Sequence, residues 1–558
     1  MAPAVSNTFL VQKVDTNAKA FKADIQAALS EALLGCGGEV HPERTVAIER
    51  ALKPMWQTLP KNEHGRIERR SLRHAVHRYF MQKSSIMIRG FEPSRPVNQS
   101  HWGVADILHQ QVPGYVEAHL ESSHAQEKGF SLEDAVSLVS MLEQLIYDSD
   151  RTLLDKVYAE QRKSTHQTVS YQGLKQILEA YLVHWMVGHD QESVDTLLRD
   201  KKLCEEHLPH WNGLVEFAEG QAKALEFQRQ RAPDARQGVS SPRKNALSMR
   251  FSFDEVHEII GSITRTFASF WESECISMKT GLVNMDTHAT GRVPLSKFYG
   301  TALDSEWRFG ESEEYLREMG VLDETSRWKG KQVIIPNYMQ AASNCIIATQ
   351  HYMVCCVNEC ESLLSEIEVR IAGPTATPAE ILAVVRNMSS PLSIDDDAPA
   401  HVDKSLVSQL EQVAASNSGK VPLHGRLFAQ WLHYVFPREC PFPHKTGVAA
   451  SVTPLEFGDG YLATNEDMKK HASDDISASV PSSVGKEELQ WMSQWSSEEE
   501  LTLDYSMELQ APWEQHHSVF AVVSVLLVAA GLWFGIFAFN RKSSDTGSSL
   551  DFNKVHLV

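Results

Sequence analysis

The sequence is short of positive charge: 53 lysines and arginines stand against 72 aspartates and glutamates, a net charge of −19 over 558 residues. A protein that binds nucleic acid needs a basic footprint for the phosphates, so this balance excludes such a partner. The sequence also lacks the G-x-x-x-x-G-K-[ST] phosphate loop and the G-x-G-x-x-G, H-E-x-x-H and G-x-S-x-G motifs of common active sites. No residue set specifies a reaction, and we expect a protein that is not an enzyme.

A secretory signal is also missing, because the first 20 residues contain no apolar stretch of about 7 to 15 residues. A long apolar run lies near the other end instead: residues 518–539 carry no charge and are followed by Arg541 and Lys542. As a helix rising about 1.5 Å per residue, this run is roughly 33 Å long, enough to cross the hydrocarbon core. The sequence therefore predicts a single-pass membrane protein whose transmembrane helix, residues 518–539, contacts the lipid bilayer.

Two signals disagree about which side of the membrane holds the large domain. The cations after the span belong in the cytoplasm under the positive-inside rule, which puts the domain on the exoplasmic side. Eight cysteines and glycosylation sequons at Asn98 and Asn387 agree with that side. Without a signal peptide, however, a C-terminal span is inserted tail-first and leaves the domain in the cytosol. We favour the exoplasmic domain slightly, and the cytosolic tail-anchored alternative stays open.

Changes in composition divide the chain into two lobes, a stalk and a tail. Residues 228–250 lack apolar periodicity and contain two prolines and one glycine, which indicates a linker. This linker separates lobe one, residues 20–225, from lobe two, residues 251–445. Residues 446–515 are acidic and rich in serine, which predicts a disordered stalk before the span. Residues 540–558 form a short tail.

Both lobes are predicted to be helical, because apolar residues recur at helical spacing and strand-like alternation is scarce. Residues 132–147 and 253–270 are the clearest examples. Ser252 and Thr377 each stand three residues before a glutamate, which predicts a capping box at the start of a helix. A short strand is predicted at residues 333–335.

A turn motif recurs four times between helical segments, near residues 58–80, 160–185, 275–300 and 405–434. This order of helix, tight turn, β-branched residue and helix resembles the EF-hand family, in which the sixth loop position is glycine. Family members also pair the eighth residues of two loops. The matching sixth and eighth residues are Gly65 and Ile67, Gln167 and Val169, Gly291 and Val293, and Gly419 and Val421, with Gln167 departing from the pattern.

The resemblance implies an all-α fold with two helical lobes, each holding a pair of degenerate EF-hand-like units. It also implies that the eighth residues pair within each lobe, Ile67 with Val169 and Val293 with Val421. Unrelated helical hairpins that share a common turn are the alternative. With the predicted C-terminal transmembrane helix, these lobes complete the expected architecture.

Two longer stretches, within residues 335–360 and 425–444, resemble uncharacterised single-pass membrane proteins of algae and other protists. The first contains Cys355-Cys356 and Cys360, and the second is rich in proline. This resemblance implies an architecture and supplies no activity.

The third loop is the best candidate for a metal site. Calcium takes about six to eight oxygen ligands, and the twelfth position of an EF-hand loop supplies a bidentate glutamate. Here Asp286, His288 and Thr290 stand at positions 1, 3 and 5, but Lys297 occupies position 12 and would repel a cation. Asp286, His288 and Thr290 are therefore weak candidate metal ligands. We expect no cofactor, and weak binding of Ca2+ is the alternative.

Six of the eight cysteines lie in lobe two, and four of these lie within residues 339–371, which we interpret as one long helix. If the lobe is exoplasmic, disulfides from this helix to Cys275 or Cys440 are expected. Neighbours on a helix cannot both reach one partner, so at most one of Cys355 and Cys356 should pair within the helical hairpin. Cys440 should lie near Cys360 or Cys356.

Two other interpretations of these cysteines stay open. His351 and Cys355 share a helical face, which makes zinc ligation geometrically conceivable. Cys440 and His444 lie on one proline-rich loop and could form a nucleophilic pair, although closeness in sequence is no evidence of hydrogen bonding.

The sequence thus predicts a membrane-anchored, non-enzymatic protein-interaction or scaffold protein built on degenerate EF-hand-like lobes. Paired loops would hold the helices so that a groove can receive a protein partner. One alternative is a calcium-responsive regulator that binds Ca2+ weakly at the Asp286 loop. A second alternative is an enzyme that uses the cysteine- and histidine-bearing second lobe.

Overall fold

The computed structural model describes residues 42–92, 129–231, 250–388, 402–473 and 508–513, with short gaps at residues 189, 209, 305–307, 326–329, 350 and 446–447. Helices dominate this part of the chain. In chain order they are α1 Pro42–Thr58, α2 Arg69–Ser84, α3 Leu132–Glu160, α4 Tyr171–Val187, α5 Gln191–Arg199, α6 Lys201–His207, α7 Trp211–Arg231, α8 Phe253–Met285, α9 Leu295–Asp304, α10 Glu313–Glu318, α11 Ile335–Met339, α12 Glu359–Ile371, α13 Pro378–Val385, α14 Lys404–Ser416, α15 Arg426–Val435, α16 Pro454–Phe457 and α17 Asn465–Ser473.

The structure also contains short strands, so the prediction of an all-α fold is wrong: the fold is mainly helical with small antiparallel sheets. Within the described residues the strands form four small antiparallel sheets, in the orders β1-β8-β7, β2-β3, β4-β6-β5 and β10-β9. The strands are β1 Ile86–Ile88, β2 Val169–Ser170, β3 Arg250–Phe251, β4 Arg292–Pro294, β5 Leu322–Asp323, β6 Gln332–Ile334, β7 Ile347–Ala348, β8 Tyr352–Val354, β9 Thr375–Ala376 and β10 Val421–Pro422.

The predicted membrane anchor is also corrected. Across the described ranges, no helix combines the length and the apolar character needed to cross a membrane. The predicted span and its contact with the lipid bilayer fall on residues 518–539, which lie outside the described residues, as do the tail at 540–558 and Asn98. The assignment as a single-pass membrane protein is therefore not supported.

The predicted helix starts at Ser252 and Thr377 are confirmed. Ser252 and Thr377 each accept a hydrogen bond from the backbone of the glutamate three residues on, and both capping boxes are complete. Pro378 starts α13, where its missing N–H costs nothing. The predicted strand near residues 333–335 is β6, which ends one residue earlier because α11 begins at Ile335.

The turn motifs do form β-bridges through their β-branched residues, but the predicted combinations are wrong. A bridge is made by backbone N–H and C=O groups, so the partner strand need not carry the glycine motif. Each partner instead lies just before the start of another helix. The four bridges are Ile67 with Phe130, Val169 with Phe251, Val293 with Val333, and Val421 with Ala376.

Three large apolar cores organise the described chain. The first core gathers α1 to α8 and the strands β1 and β8, so the first half of α8 packs with residues of the predicted lobe one. The second core combines the end of α8 with α9 to α11 and with Met468 of α17. The third core joins α12 to α15 and Leu509. Met468 and Leu509 lie in the segment predicted as a disordered stalk, so these parts of it are folded.

The cysteine-rich region is not the single long helix that we predicted. After α11 the chain forms the β7–β8 hairpin, which pairs with β1, and only then enters α12. Residues 347–354 are rich in β-branched and aromatic side chains, and their pairing with a buried edge decides the conformation.

Three disulfides hold this region to its surroundings: Cys345–Cys355, Cys275–Cys356 and Cys360–Cys440. The prediction that Cys355 and Cys356 reach different partners is confirmed. Cys355 bonds to Cys345 and closes the β7–β8 hairpin, whereas Cys356 bonds to Cys275 of α8. The expected position of Cys440 beside Cys360 is also confirmed, with the two Cα atoms 4.6 Å apart. Cys204 is free and buried.

Candidate functional site

A loop that we call the proline segment, residues 437–445, joins the second and third cores. Cys440 ties it to α12 through the disulfide, and Phe442 donates its backbone N–H to the Asn337 side chain over 2.7 Å. His444 Nε2 lies 2.5 Å from the carbonyl oxygen of Gly320 and donates to it. The sequence placed Cys440 and His444 on one loop correctly, but Cys440 is oxidised and cannot serve as a nucleophile.

The same segment engages the predicted calcium loop. Asp286 is buried, and its carboxylate accepts backbone N–H groups from Thr290 at 3.1 Å and Gly291 at 2.8 Å. Arg438 Nε donates over 3.1 Å to the same carboxylate oxygen, Oδ2, that accepts the Gly291 N–H, and Arg438 Nη2 donates to the Asp286 carbonyl over 3.2 Å. A guanidinium of this chain therefore provides positive charge beside the loop's single candidate carboxylate.

The two remaining candidate ligands of that loop differ in their surroundings. His288 is exposed, whereas Thr290 is buried and its hydroxyl faces Asp286 at 3.4 Å. Lys297 donates to the carbonyl of Met285. In the part of the chain that the structure describes, no group of three or more His, Cys, Asp and Glu side chains has the geometry of a metal site.

Arg292, next to this loop, contacts both α15 and the end of the described chain. Its Nη1 donates to His433 Nε2 over 3.0 Å, and its Nε pairs with Asp323 at 2.5 Å. His433 Nδ1 donates to the Cys440 carbonyl over 2.6 Å, so the ring is a neutral tautomer with its proton on Nδ1. Burial, together with the positive charge of Arg292, lowers the pKa of His433 to about 3.

A cavity of about 250 Å³ lies where α2, α11, α12, α15 and the proline segment meet, and we call it the junction cavity. Its volume is near the small end of ligand pockets, which are roughly 300 to 1,000 Å³. One end is polar and the walls are largely apolar. Its lining includes His74, His77, Arg78, Met81, Met87, Met319, Asn337, Gln340, Cys360, Glu361, Leu364, His424, Phe428, Ala429, Leu432, Phe442 and His444.

Arg78 anchors the polar end of the junction cavity. It is fully buried on α2 and pairs with two carboxylates of α12, Glu361 at 2.6 Å and Glu368. Burial alone would lower the pKa of Arg78, but the two carboxylates raise it above its ordinary value. Burial likewise opposes ionisation of Glu368, yet Arg78 and His424 lower its pKa to about 2. Both groups are therefore charged at neutral pH.

Two histidines continue this network toward the cavity. His424 Nε2 lies 3.1 Å from Glu368 and 2.9 Å from the Thr58 hydroxyl, which itself donates to the Met55 carbonyl. His424 Nδ1 lies 3.2 Å from His74 Nε2. Since both oxygens near His424 Nε2 are acceptors, this nitrogen carries a proton.

A second feature lies on the third core, against which residues 508–513 rest; we call them the docked segment. Three buried side chains of α14 and α15 bind its main chain. Gln430 accepts from the Leu509 N–H at 3.1 Å, Tyr434 donates to the Leu509 carbonyl at 3.0 Å, and Gln409 donates to the Gln510 carbonyl at 2.6 Å.

Sequence reasoning missed the residues of both features. His74, His77 and Arg78 stand at helical spacing on one face of α2, and that cluster of cationic and titratable side chains is a signal present in the sequence. Their partners Glu368 and His424 lie about 290 and 350 residues away, which no local pattern reveals. His351 does not join a zinc site with Cys355, because the cysteine is in a disulfide.

Comparison with known proteins adds no relative: no family model, no curated protein and no solved structure matches this chain.

Proposed function

We propose that this chain is a non-enzymatic protein-interaction protein whose α14–α15 groove binds a peptide through its main chain. The observation that carries the proposal is the docked segment, whose main chain is bound by Gln409, Gln430 and Tyr434. Buried polar side chains are costly when they lack a partner, so these three make the groove depend on a peptide backbone. Main-chain recognition of this kind accepts different sequences, which suits an interaction protein.

Apolar anchors would supply most of the affinity. Leu509 is buried in the third core, and Trp513 packs edge-on against Tyr434 with ring centroids 5.4 Å apart. Arg292 lies 4.8 Å from the Trp513 ring in a cation–π contact. Lys445 pairs with Glu508 at 3.3 Å. These contacts favour a peptide with an acidic residue, an apolar residue next to it and an aromatic residue four positions later.

Degenerate EF-hand-like loops fit this proposal as structural joints. Each of the four turn motifs forms a β-bridge with another segment and so fixes the helix that follows it. The resemblance to EF-hands implies this structural role. The Asp286 carboxylate is satisfied by loop N–H groups and Arg438, so this contact supports a structural role over the calcium-responsive alternative. Among the described residues, no specific observation favours the enzymatic alternative.

The experiment is a competition for the groove. In the double variant Leu509→Ala, Trp513→Ala the docked segment loses its anchors and leaves the groove accessible. A fluorescent peptide with the sequence of residues 504–516 should then bind with a Kd in the low micromolar range, about −8 kcal/mol. Fluorescence anisotropy should show at least tenfold weaker binding to the unchanged chain, where the docked segment competes.

Two controls make the result specific. Adding Gln430→Ala to the double variant should weaken peptide binding about tenfold, because one hydrogen bond is worth about 0.5 to 1.5 kcal/mol and its loss leaves a peptide N–H unpaired. A peptide with both anchors replaced by alanine should not bind. The proposal is wrong if the folded double variant fails to bind the peptide, or if binding requires added calcium.

A further inference from the structure

An open pocket lies between the connection from α6 to α7 and the middle of α8, and we call it the aromatic pocket. Its volume is about 390 Å³, within the usual range of ligand sites, which is roughly 300 to 1,000 Å³. Trp211, Phe270 and Trp271 line it and belong to the first core or pack against it. The pocket is therefore separate from the α14–α15 groove, which lies on the third core.

The indole N–H of Trp211 is a donor that the chain itself does not use. Trp211 is only 7% exposed, and its N–H has no hydrogen-bond partner among the described residues. The unpartnered atoms that solvent cannot reach do not include its Nε1, so this donor is accessible at the wall of the pocket. A buried tryptophan usually gives this N–H to an acceptor, so its free state here indicates a ligand with acceptor groups.

Three exposed polar side chains line the same pocket and are also free. Glu205 lies at the end of α6, Asn212 at the start of α7 and Ser273 on α8. Within the described ranges, none of these side chains forms a hydrogen bond or an ion pair. A carboxylate accepts hydrogen bonds, whereas an amide and a hydroxyl both donate and accept them. Three helices therefore present donors and acceptors to one ligand.

The charges around the aromatic pocket favour a neutral ligand. Glu274 lines it too, but Arg308 binds one of its carboxylate oxygens and His210 Nε2 lies 3.0 Å from the other, so its charge is compensated. Glu205 repels an anion, and its exposure makes its attraction for a cation weak. The end of α6 and the start of α7 both border the pocket, so their opposite dipole ends offset each other.

Aromatic rings supply the apolar part of the pocket. Phe270 and Trp271 are half-buried, and their ring centroids lie 6.4 Å apart. A Cβ atom at Gly213 would contact the Phe270 ring at 3.8 Å, so the glycine leaves that edge of the ring uncovered. Such rings pack well against the C–H surface of a ligand.

We propose that the aromatic pocket binds a neutral saccharide and recognises one pyranose ring. Each sugar hydroxyl both donates and accepts hydrogen bonds, which matches the free groups of Trp211, Glu205 and Asn212. The C–H groups on one face of a pyranose are apolar and fit against Phe270 and Trp271. This site does not depend on the peptide bound by the α14–α15 groove.

The test compares probes that share a six-membered ring and differ in the groups around it. The neutral sugars are the methyl glycosides of glucose, galactose and mannose. Glucuronate adds a carboxylate, cyclohexanol lacks the rim of hydroxyls, and choline is included as an organic cation. Isothermal titration of the whole chain at neutral pH should give millimolar binding for at least one methyl glycoside. Glucuronate, cyclohexanol and choline should each bind at least about tenfold more weakly, the factor that corresponds to about 1.4 kcal/mol.

Variants locate the site. Trp211→Phe keeps an aromatic ring but removes the N–H, so it should weaken sugar binding about threefold to tenfold, the usual range for one hydrogen bond. Ser273→Phe places a ring in the pocket from an exposed position and should abolish binding. Thr266→Phe is the matched control, because Thr266 is also exposed on α8 but does not line the pocket.

Three outcomes would overturn the proposal: none of the methyl glycosides binds, choline or cyclohexanol binds as tightly as the best of them, or Ser273→Phe leaves sugar binding unchanged. The comparison of probes uses the natural sequence, so it decides the question even if Trp211→Phe does not fold.

Discussion

The Arg438 guanidinium lies 3.1 Å from the Asp286 carboxylate, although 152 residues separate them in the chain. Asp286 opens the loop with the strongest resemblance to an EF-hand, and Arg438 belongs to the proline segment. Gly291 of the same loop also packs closely against the proline segment, because a Cβ atom at this position would lie 1.8 Å from the Pro437 carbonyl oxygen. The loop therefore joins the proline segment to the second core.

Replacing Arg438 by methionine should destabilise the protein by about 3 to 5 kcal/mol, because it leaves the buried Asp286 charge without its cation. Chemical denaturation monitored by circular dichroism measures this loss. The double variant Arg438→Met, Asp286→Asn should recover part of it, since the uncompensated charge is gone.

Calcium should leave the thermal midpoint of the unchanged chain where it is. The physical reason is that Asp286 is already engaged and Lys297 stands at the position of the bidentate glutamate. Calorimetric titration with calcium measures binding directly. A Kd tighter than about 1 mM that disappears in Asp286→Ala would establish the calcium-responsive alternative instead.

Arg78→Met should cost about 3 to 5 kcal/mol of unfolding free energy, because Glu361 and Glu368 lose their buried cation together. Arg370→Ala on α12 is the matched control. Arg370 pairs with Glu366 on the same helix but is 54% exposed, so its loss should change stability by less than about 1 kcal/mol. Equal effects of the two substitutions would contradict the role assigned to the buried network.

Acid should destabilise the fold partly through His433, whose pKa is lowered to about 3 by burial and by Arg292. A lowered pKa means that the unfolded chain binds the proton first, so stability is lost as pH falls from about 6.5 toward 3. At pH 5 this residue should account for about 2 kcal/mol.

Denaturation of His433→Gln across that pH range tests this assignment. The variant should show a shallower loss of stability between pH 7 and pH 5 than the unchanged chain. His288→Gln, at an exposed loop position, should keep the full slope. If the slopes of His433→Gln and the unchanged chain coincide, His433 does not carry the effect.

The disulfides should differ in their contribution according to the length of chain that they close. Cys275–Cys356 and Cys360–Cys440 span 81 and 80 residues, and their removal should each cost about 4 to 5 kcal/mol. Cys345–Cys355 spans 10 residues and should contribute about 3 kcal/mol. Double cysteine-to-alanine variants, denatured without reductant because disulfides persist in oxidising conditions, give the comparison. A larger effect for the short loop would contradict the entropic account.

Local structure could be predicted from the sequence because it rests on neighbouring residues. The capping boxes at Ser252 and Thr377 involve groups three residues apart, and both were expected. Gly65, Gly291 and Gly419 have positive φ, as the turn motif required. The different partners of Cys355 and Cys356 followed from the geometry of adjacent residues.

Only the tertiary structure decided which distant segments meet. Val293 pairs with Val333 rather than Val421, since backbone groups make the bridge and carry no signature in the side chains. Residues 347–354 form a hairpin because β1 offers a strand to pair with. Burial then determines chemistry: Arg78 becomes the centre of a buried ion-pair network, and the pKa of His74 falls below its ordinary value, only once α2, α12 and the His424 loop exclude water between them.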